Sequence, residues 1–208
     1  DKIEFTCKIK KSSKFPLHLR IPSWCAEARI SSNSAIIQKV KGGEVAVIDR
    51  EWNNEDKIVL ELPMQIMLSR WFENSLGVER GPLVYALKVE EDWKERKTAA
   101  SNDSFWEVFP SSPWNYGIPE KVIDSMDFEV KLNGKVALMP WDLKNAPIHI
   151  ETKGKRIPYW GLYENSAGKI PDSNESYQDQ DRPAEEIILI PYGCSTMRIA
   201  EFPVIDRH

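Results

Sequence analysis

Val78-Glu-Arg-Gly-Pro-Leu-Val-Tyr-Ala-Leu-Lys88 reads as strand and turn, not as an active site. Leu83, Tyr85 and Leu87 alternate with Val84 and Ala86, so both faces of this strand are apolar and both are expected to be covered. Upstream, Ile48-Asp-Arg-Glu-Trp52 and Asp56-Lys-Ile-Val-Leu-Glu-Leu-Pro-Met64 have the same character. Ile58, Leu60 and Leu62 form an alternating set closed by Pro63, and Met64, Ile66 and Leu68 continue it. Nearer the start, Ile3, Phe5 and Cys7 alternate with Glu4, Thr6 and Lys8. Leu17, Leu19 and Ile21 alternate with His18 and Arg20, which puts both polar side chains on the wet face. Pro22 ends that strand where a ladder N–H can be spared. Val45, Val47 and Ile48 follow a turn at Gly42-Gly43. No segment carries a sustained helical period of apolar residues, so the fold class is all-β.

Two polar stretches interrupt the alternation. Glu90 to Ser104 carries little apolar periodicity and reads as a connection with one helical turn, hence a module boundary. Asn165 to Pro183, rich in Ser, Asp, Asn and Gln, is expected to be a long surface loop, because its backbone would be hard to satisfy if buried. Strands return at Glu186-Ile-Ile-Leu-Ile190 and Ser195-Thr-Met-Arg-Ile-Ala200. Between the two stretches, Phe128-Glu-Val-Lys-Leu-Asn-Gly-Lys-Val-Ala-Leu138 is a hairpin pattern. A three-residue loop over Leu132-Asn133-Gly134 pairs Val130 with Val136 and Phe128 with Leu138, keeps one face apolar and puts Gly134 in the left-handed position.

At 208 residues the chain fits one large all-β domain or two sandwiches of about 100 residues each. The hydrophobic fraction of 41% supports a packed core, and eight Trp must be either buried or offered on a binding face. The 28 basic and 32 acidic residues are spread along the chain, which leaves no electrostatic footprint for nucleic acid or anionic lipid. No apolar run approaches the roughly 20 residues of a membrane span, and the N-terminus is not a signal peptide. The opening on Asp1 without Met predicts an excised or processed fragment. Cys7, Cys25 and Cys194 are odd in number and far apart, which argues against a disulfide framework and against zinc spacing. They read as buried free thiols; a Cys7–Cys25 bridge would require neighbouring strands.

The motifs come in a particular order: Leu19-Arg-Ile-Pro-Ser-Trp24, Ile48-x-Arg50-x-Trp52, Asp56-x-Ile-x-Leu-x-Leu-Pro-Met64 and Glu79-Arg-Gly-Pro-Leu-Val-Tyr85. Trp106-Glu-Val-Phe-Pro-Ser-Ser-Pro-Trp-Asn-Tyr-Gly117 and Ile190-Pro-Tyr-Gly-Cys-Ser-Thr-Met-Arg-Ile-Ala-Glu-Phe-Pro203 follow. Each string is weak alone, but the ordered set resembles the region downstream of the catalytic barrel in bacterial β-L-arabinofuranosidases, family 127 of the glycoside hydrolases. The chain departs from that pattern at Glu55, where the family often has Gly, and at Asn33-Ser34, where Asn-Gly is usual. The resemblance implies two β-sandwich modules of jelly-roll or immunoglobulin-like type, the second inserted in the first. Residues 1–92 plus 185–208 would form the first, and 93–184 the second. It also implies an upstream (α/α) barrel holding a zinc-bound cysteine cluster and the acidic residues that cleave the bond. No catalytic, metal or cofactor residue transfers onto this chain. Its partner would be that barrel, and the parent would be periplasmic or extracellular in a Bacteroides-like bacterium.

Glycosidases commonly use two facing carboxylates about 5 to 9.5 Å apart. Acidic residues are plentiful here, and Glu79 beside Arg80 reads as a structural ion pair. Gly193-Cys194-Ser195 is explained by a tight turn, and His18, His149 and His208 are too scattered for a base or a metal. His149, between Ile148 and Ile150, belongs to the polar side of its strand. No phosphate loop or dinucleotide fingerprint occurs. The aromatic segments carry more: Trp114, Tyr116, Tyr159, Trp160 and Tyr163 stand beside Pro and Gly, where rings can stack on the C–H faces of sugars. The same rings could instead plug the sandwich ends or pack against the barrel. Trp24, Trp71 and Phe72 lie outside the clean alternation and are candidates for a barrel interface. Three readings follow: an accessory support region of a glycosidase, a self-sufficient carbohydrate-binding module, and an immunoglobulin-like surface domain. The ordered motifs favour the first over the third, and only the aromatic loops favour the second over the first.

Overall fold

The computed structural model describes residues 1–33, 35–98, 103–174 and 182–206. Among them the chain is mostly β, with several antiparallel sheets and one short helix. It divides into two compact units, Asp1–Ile66 with Arg80–Pro82, and Met67–Glu79 with Leu83–His208.

The first unit holds β1 (Lys2–Thr6), β2 (Ser13–Arg20), β3 (Glu27–Ser32), β4 (Ala35–Lys41), β5 (Val45–Trp52) and β6 (Lys57–Glu61). Strands β1, β6, β3 and β4 form one sheet in that order, and β2 pairs with β5 in a separate ribbon running from Ser13↔Trp52 to Arg20↔Val45. A single hydrophobic cluster draws on both: Leu19 and Ile48 from the ribbon, Ile30, Ile58 and Leu60 from the sheet, with Trp52 fully inside. The inward face of β5 is Ala46, Ile48 and Trp52, whereas Val45 and Val47, expected to lead the apolar set, are exposed. Parity decides this. Trp52 shares a face with Ala46 and Ile48, and those three side chains together bury more apolar area than Val45 and Val47.

The motif residues around Trp52 are structural. Its Nε1–H donates to the Phe15 carbonyl at 2.8 Å, Phe15 stacks on it at 5.6 Å, and the Arg50 guanidinium lies 4.3 Å from the ring centre. Arg50 also reaches Asp56 at 3.2 Å, and Asp56 accepts the Asn53 N–H at 2.9 Å, closing the turn between β5 and β6. Glu55 in that turn is left-handed, with φ of 67°, the conformation for which Gly is the natural residue. Asn33 is left-handed as well, and Ser34 beside it lies outside the described residues. Gly81, at φ 59°, sits so close to the Met64 side chain that a Cβ would come within 2.7 Å of its sulfur. The Arg-Gly and Leu-Pro-Met motifs therefore interlock.

The second unit contains β7 (Ile66–Arg70), β8 (Leu76–Arg80), β9 (Leu83–Leu87), β10 (Glu91–Lys97), β11 (Ser104–Pro110), β12 (Tyr116–Pro119) and α1 (Glu120–Asp124). It continues with β13 (Glu129–Leu132), β14 (Ile148–Arg156), β15 (Leu162–Tyr163), β16 (Ser166–Ala167), β17 (Glu185–Pro191), β18 (Glu201–Phe202) and β19 (Val204–Ile205). The main sheet runs β18-β8-β9-β17-β14-β12-β19, with β13 on β14 and β7 on β8. Strand β9 is covered on both faces at Tyr85, Ala86 and Leu87, whereas Val84 near its start is exposed. Strand β17 does return to β9, pairing Leu189 with Leu87, but its other edge pairs with β14. One sheet thus joins β8 and β9 to β17, β14 and β12, and the compact units part near residue 66.

Two local expectations are corrected. Glu90 to Ser104 is not a loop with a helical turn: β10 pairs with β11 over seven residues, with 99–102 outside the described residues. Charge on both faces hides the period-two pattern there. Cross-strand contacts hold the ribbon, including Arg96–Glu107 at 2.8 Å and Lys94 over the Phe109 ring. The 128–138 hairpin does not form either. Gly134 is left-handed, but β13 pairs with β14 across a long connection, Val130 facing Ile150. Asn133 closes that connection by donating its N–H to the Pro147 carbonyl and its side-chain amide to that of Ala146. Strand β14 offers a buried alternating face that Val136 and Leu138, left exposed, cannot match. Within the expected loop after Asn165, Ser173 is buried and accepts the Val204 N–H at 2.9 Å, while 175–181 lie outside the described residues. The three cysteines are free thiols, with Cys25 and Cys194 buried.

Three substitutions test these assignments. Trp52→Ala should cost about 3 to 5 kcal/mol in denaturant unfolding followed by circular dichroism, while Val47→Ala stays within about 0.5 kcal/mol. Glu55→Gly should be neutral or stabilising by up to about 1 kcal/mol, since it relieves a left-handed side chain on an exposed turn.

Candidate functional site

The aromatic segments expected to meet sugars hang from the end of the main sheet. Tyr116 opens β12 opposite Arg156 of β14, so Trp114 and Asn115 lie just before it and Ile157 to Trp160 just after β14. Asn115 ties the two together: its amide donates to the Ile157 carbonyl at 2.8 Å and the Trp160 carbonyl at 3.1 Å, and the Ile157 N–H returns to the Asn115 carbonyl at 2.8 Å. Trp160 is only 4% exposed, meets Trp114 edge to face at 5.1 Å and donates its Nε1–H to the Gly168 carbonyl at 3.0 Å. Beyond it, Leu162-Tyr163-Glu-Asn-Ser166-Ala167 forms a hairpin whose two turn residues, Glu164 and Asn165, are both left-handed. That is the turn type matching strand twist, and it presents Leu162 and Tyr163 to solvent.

The structure therefore sorts the five rings. Trp114 and Trp160 come together, Trp114 half-buried. Trp114 borders a cleft of about 330 Å³ floored by Phe109, Leu162 and Met197, and both rings line a second of about 420 Å³ that includes Arg156. Tyr116 and Trp160 are packed inside, so they hold the site and offer no open ring face. Tyr159 and Tyr163 are exposed but line neither cleft. The Tyr116 hydroxyl is pushed up to about 12 by burial first and then by the Glu185 carboxylate to which it hydrogen-bonds.

The other candidates separate in the same way. Trp24 is half-buried against the core of the first unit. Trp71 and Phe72 are 60% and 63% exposed, on the turn between β7 and β8 where Glu73 and Asn74 are both left-handed. This turn is firmly held. The Trp71 Nε1–H donates to the Ser69 hydroxyl at 2.7 Å, which donates to Glu79 at 2.5 Å; Glu73 pairs with Lys169, and Arg70 reaches the Asn74 carbonyl. Glu79 is thus engaged by Ser69 and not by Arg80, because adjacent strand residues point to opposite faces. His149 lies on the polar side of β14, 3.3 Å from Glu151, and His208 is outside the described residues. Gly193 and Cys194 belong to a 3-10 turn in which burial, and then Asp142, push the Cys194 thiol up, away from a reactive thiolate. Among the described residues no group of three or more His, Cys, Asp or Glu is placed to hold a metal ion.

Residues 1–64 match the model of the β-L-arabinofuranosidase GH127 middle domain. The resemblance read from the ordered motifs is thereby met over the first unit. No curated protein matches the chain. Solved structures share the fold over nearly all of it. A protein described as a glycoside hydrolase has TM-score 0.57 at 20% identity, covering 98% of this chain and 30% of its own. A GH127 β-L-arabinofuranosidase from Geobacillus stearothermophilus T6 has TM-score 0.54 at 18% identity, covering 96% of this chain and 27% of its own. A GH127 β-arabinofuranosidase has TM-score 0.57 at 16% identity, with 98% and 30% covered. The chain spans under a third of the length of each.

Another cleft of the second unit lies between Trp93 and Trp141. Neither residue drew notice in the sequence, Trp93 because β10 reads as a polar connection and Trp141 because it follows the misread hairpin. The signal was available in the spacing of Trp93, Glu95 and Lys97 against Trp106 and Val108, which share one face of the ribbon.

The raised Tyr116 value carries a pH signature. Below pH about 10 the phenol is protonated in folded and unfolded chain alike; between about 10 and 12 only the unfolded chain gives up its proton, so stability falls as pH rises. Alkaline titration of tyrosinate absorbance should show a late-titrating phenol that Tyr116→Phe removes, and the same change should flatten the loss of stability across that range.

Proposed function

We propose that this chain is a non-catalytic β-sandwich region of a glycoside hydrolase acting on arabinose-containing glycans. It supports an (α/α) catalytic barrel and forms one rim of its substrate cleft. The observation that carries this reading is the GH127 middle-domain match over residues 1–64, joined to a fold likeness over nearly the whole chain that takes up under a third of each related enzyme. The two sheets of the first unit are read as the faces of one sandwich because a single cluster packs between them. The motif residues support the same view, since Arg50, Trp52, Asp56, Glu79 and Gly81 all serve local structure. Trp71 and Phe72 are the barrel-facing rings: large, exposed, and held on a turn whose left-handed residues cost conformational energy. Trp24 contributes less to that face, being half-buried already.

A carbohydrate-binding module is favoured as a second reading by Tyr159 and Tyr163 in solvent and by the clefts flanking Trp114. The two are told apart by activity and stability together. The 208-residue chain should not hydrolyse aryl β-L-arabinofuranosides or other aryl glycosides, and zinc-dependent turnover by the pure chain would overturn the proposal. Covering each ring contributes about 2 to 3 kcal/mol. The double replacement Trp71→Ser with Phe72→Ser should therefore lower the melting temperature of the parent enzyme more than that of this chain. Equal losses in both would return those rings to the chain's own packing.

A further inference from the structure

The cleft between Trp93 and Trp141 has a volume of about 730 Å³, within the range of about 300 to 1,000 Å³ typical of small-molecule sites. One wall is the start of β10 and the other the connection ahead of β14, with the turn Gly193–Thr196 between them. Both indoles are largely in solvent, Trp141 at 69%.

The walls are fixed before anything binds. Glu91 accepts the Trp93 Nε1–H on one oxygen at 2.9 Å and the Thr196 N–H on the other at 3.1 Å, so one carboxylate orients the ring and ties the ribbon to the turn. Trp106 meets Trp93 edge to face at 6.3 Å. On the other wall Asp142 accepts the N–H groups of Lys144 and Asn145 at 2.9 and 2.8 Å and the Asn145 amide at 2.8 Å, which shapes the segment carrying Trp141.

The chemistry of the lining is specific. Lys88, Lys144 and Arg198 are balanced by Glu90, Glu91 and Asp142, so no net field selects an ion. Lys88 and Glu90 stand 3.6 Å apart at the rim, and a donor beside an acceptor suits vicinal hydroxyls. Aromatic faces combined with paired charges match a neutral molecule that has both C–H faces and hydroxyl groups.

We propose that this cleft binds a neutral sugar unit of a glycan, with Trp93 and Trp141 stacking on its C–H faces and Lys88, Glu90 and Lys144 binding its hydroxyls. It adjoins the cleft beside Trp114, with which it shares Thr196, but its two indoles are different rings. Only the choice of arabinose-containing probes rests on the glycosidase reading; the cleft's geometry does not.

The test is calorimetric and fluorescence titration of the 208-residue chain with arabino-, xylo-, cello- and manno-oligosaccharides. At least one series should bind with Kd between about 10 μM and 1 mM and quench tryptophan emission. Trp141→Ala and Glu90→Gln should each weaken that binding about tenfold or more. Trp141 is exposed and Glu90 lies on the surface, so their melting curves should match the parent chain. Tyr163→Ala, on the hairpin outside the cleft, should bind normally. Binding confined to cello- or manno-oligosaccharides supports the cleft while counting against the arabinose-glycan reading. No binding by any series up to about 10 mM, or binding that survives Trp141→Ala but is lost in Tyr163→Ala, overturns the cleft proposal and leaves the supporting role to be judged by the Trp71 and Phe72 experiment.

Discussion

Strand β14 is the element on which the larger unit depends. It is hydrogen-bonded on both edges, to β13 and β12 along one and to β17 along the other. Ile148, Ile150, Thr152 and Gly154 form its buried face. A strand with both edges paired and one face sealed cannot shift by a single residue without turning that whole face to water. Its register therefore governs everything attached to it. Strand β17 carries the connection onward to β9, and β12 is placed by the far end of β14, where Tyr116 meets Arg156.

The aromatic loops inherit their geometry from this strand. Asn115 can bridge Ile157 and Trp160 only because β12 and β14 end side by side, and that bridge sets Trp160 under Trp114. The rings divide into those that hold structure and those left to solvent. Trp52, Tyr116 and Trp160 are buried, and the two indoles each satisfy a ring N–H with a backbone carbonyl, as an apolar interior demands. Trp71, Phe72, Trp93 and Trp141 are exposed, yet carboxylates, hydroxyls or tight turns restrain the segments that bear them. Rigid exposed aromatics lose little entropy on contact, which suits them to recognition.

The motifs that suggested a glycosidase turn out to be structural, and this accounts for their order along the chain. Arg50, Trp52 and Asp56 build one turn, and Glu79, Ser69 and Trp71 build another. The backbone at Glu55 is left-handed, the conformation that favours Gly, so Gly is the residue expected ahead of Asp56 on conformational grounds. A fold shared at 16 to 20% identity can persist on such fixed points, while loops and cleft linings diverge.

By itself the sequence determined the fold class, the strands that alternate cleanly and the likeness of residues 1–64 to the GH127 middle-domain model. Those properties are local, or repeat at the strand period, and so can be read along the chain. Partner choice was beyond its reach. Val130 faces Ile150 and not Val136, Ala46 and Ile48 turn inward in place of Val45 and Val47, and the charged β10 finds β11. In each case the outcome depends on the area and hydrogen bonds offered by a distant strand, a competition settled only when all strands are present. The same holds for the rings: which of Trp93, Trp141, Trp160 and Tyr116 faces water follows from what packs beside it, and that is a property of the tertiary structure alone.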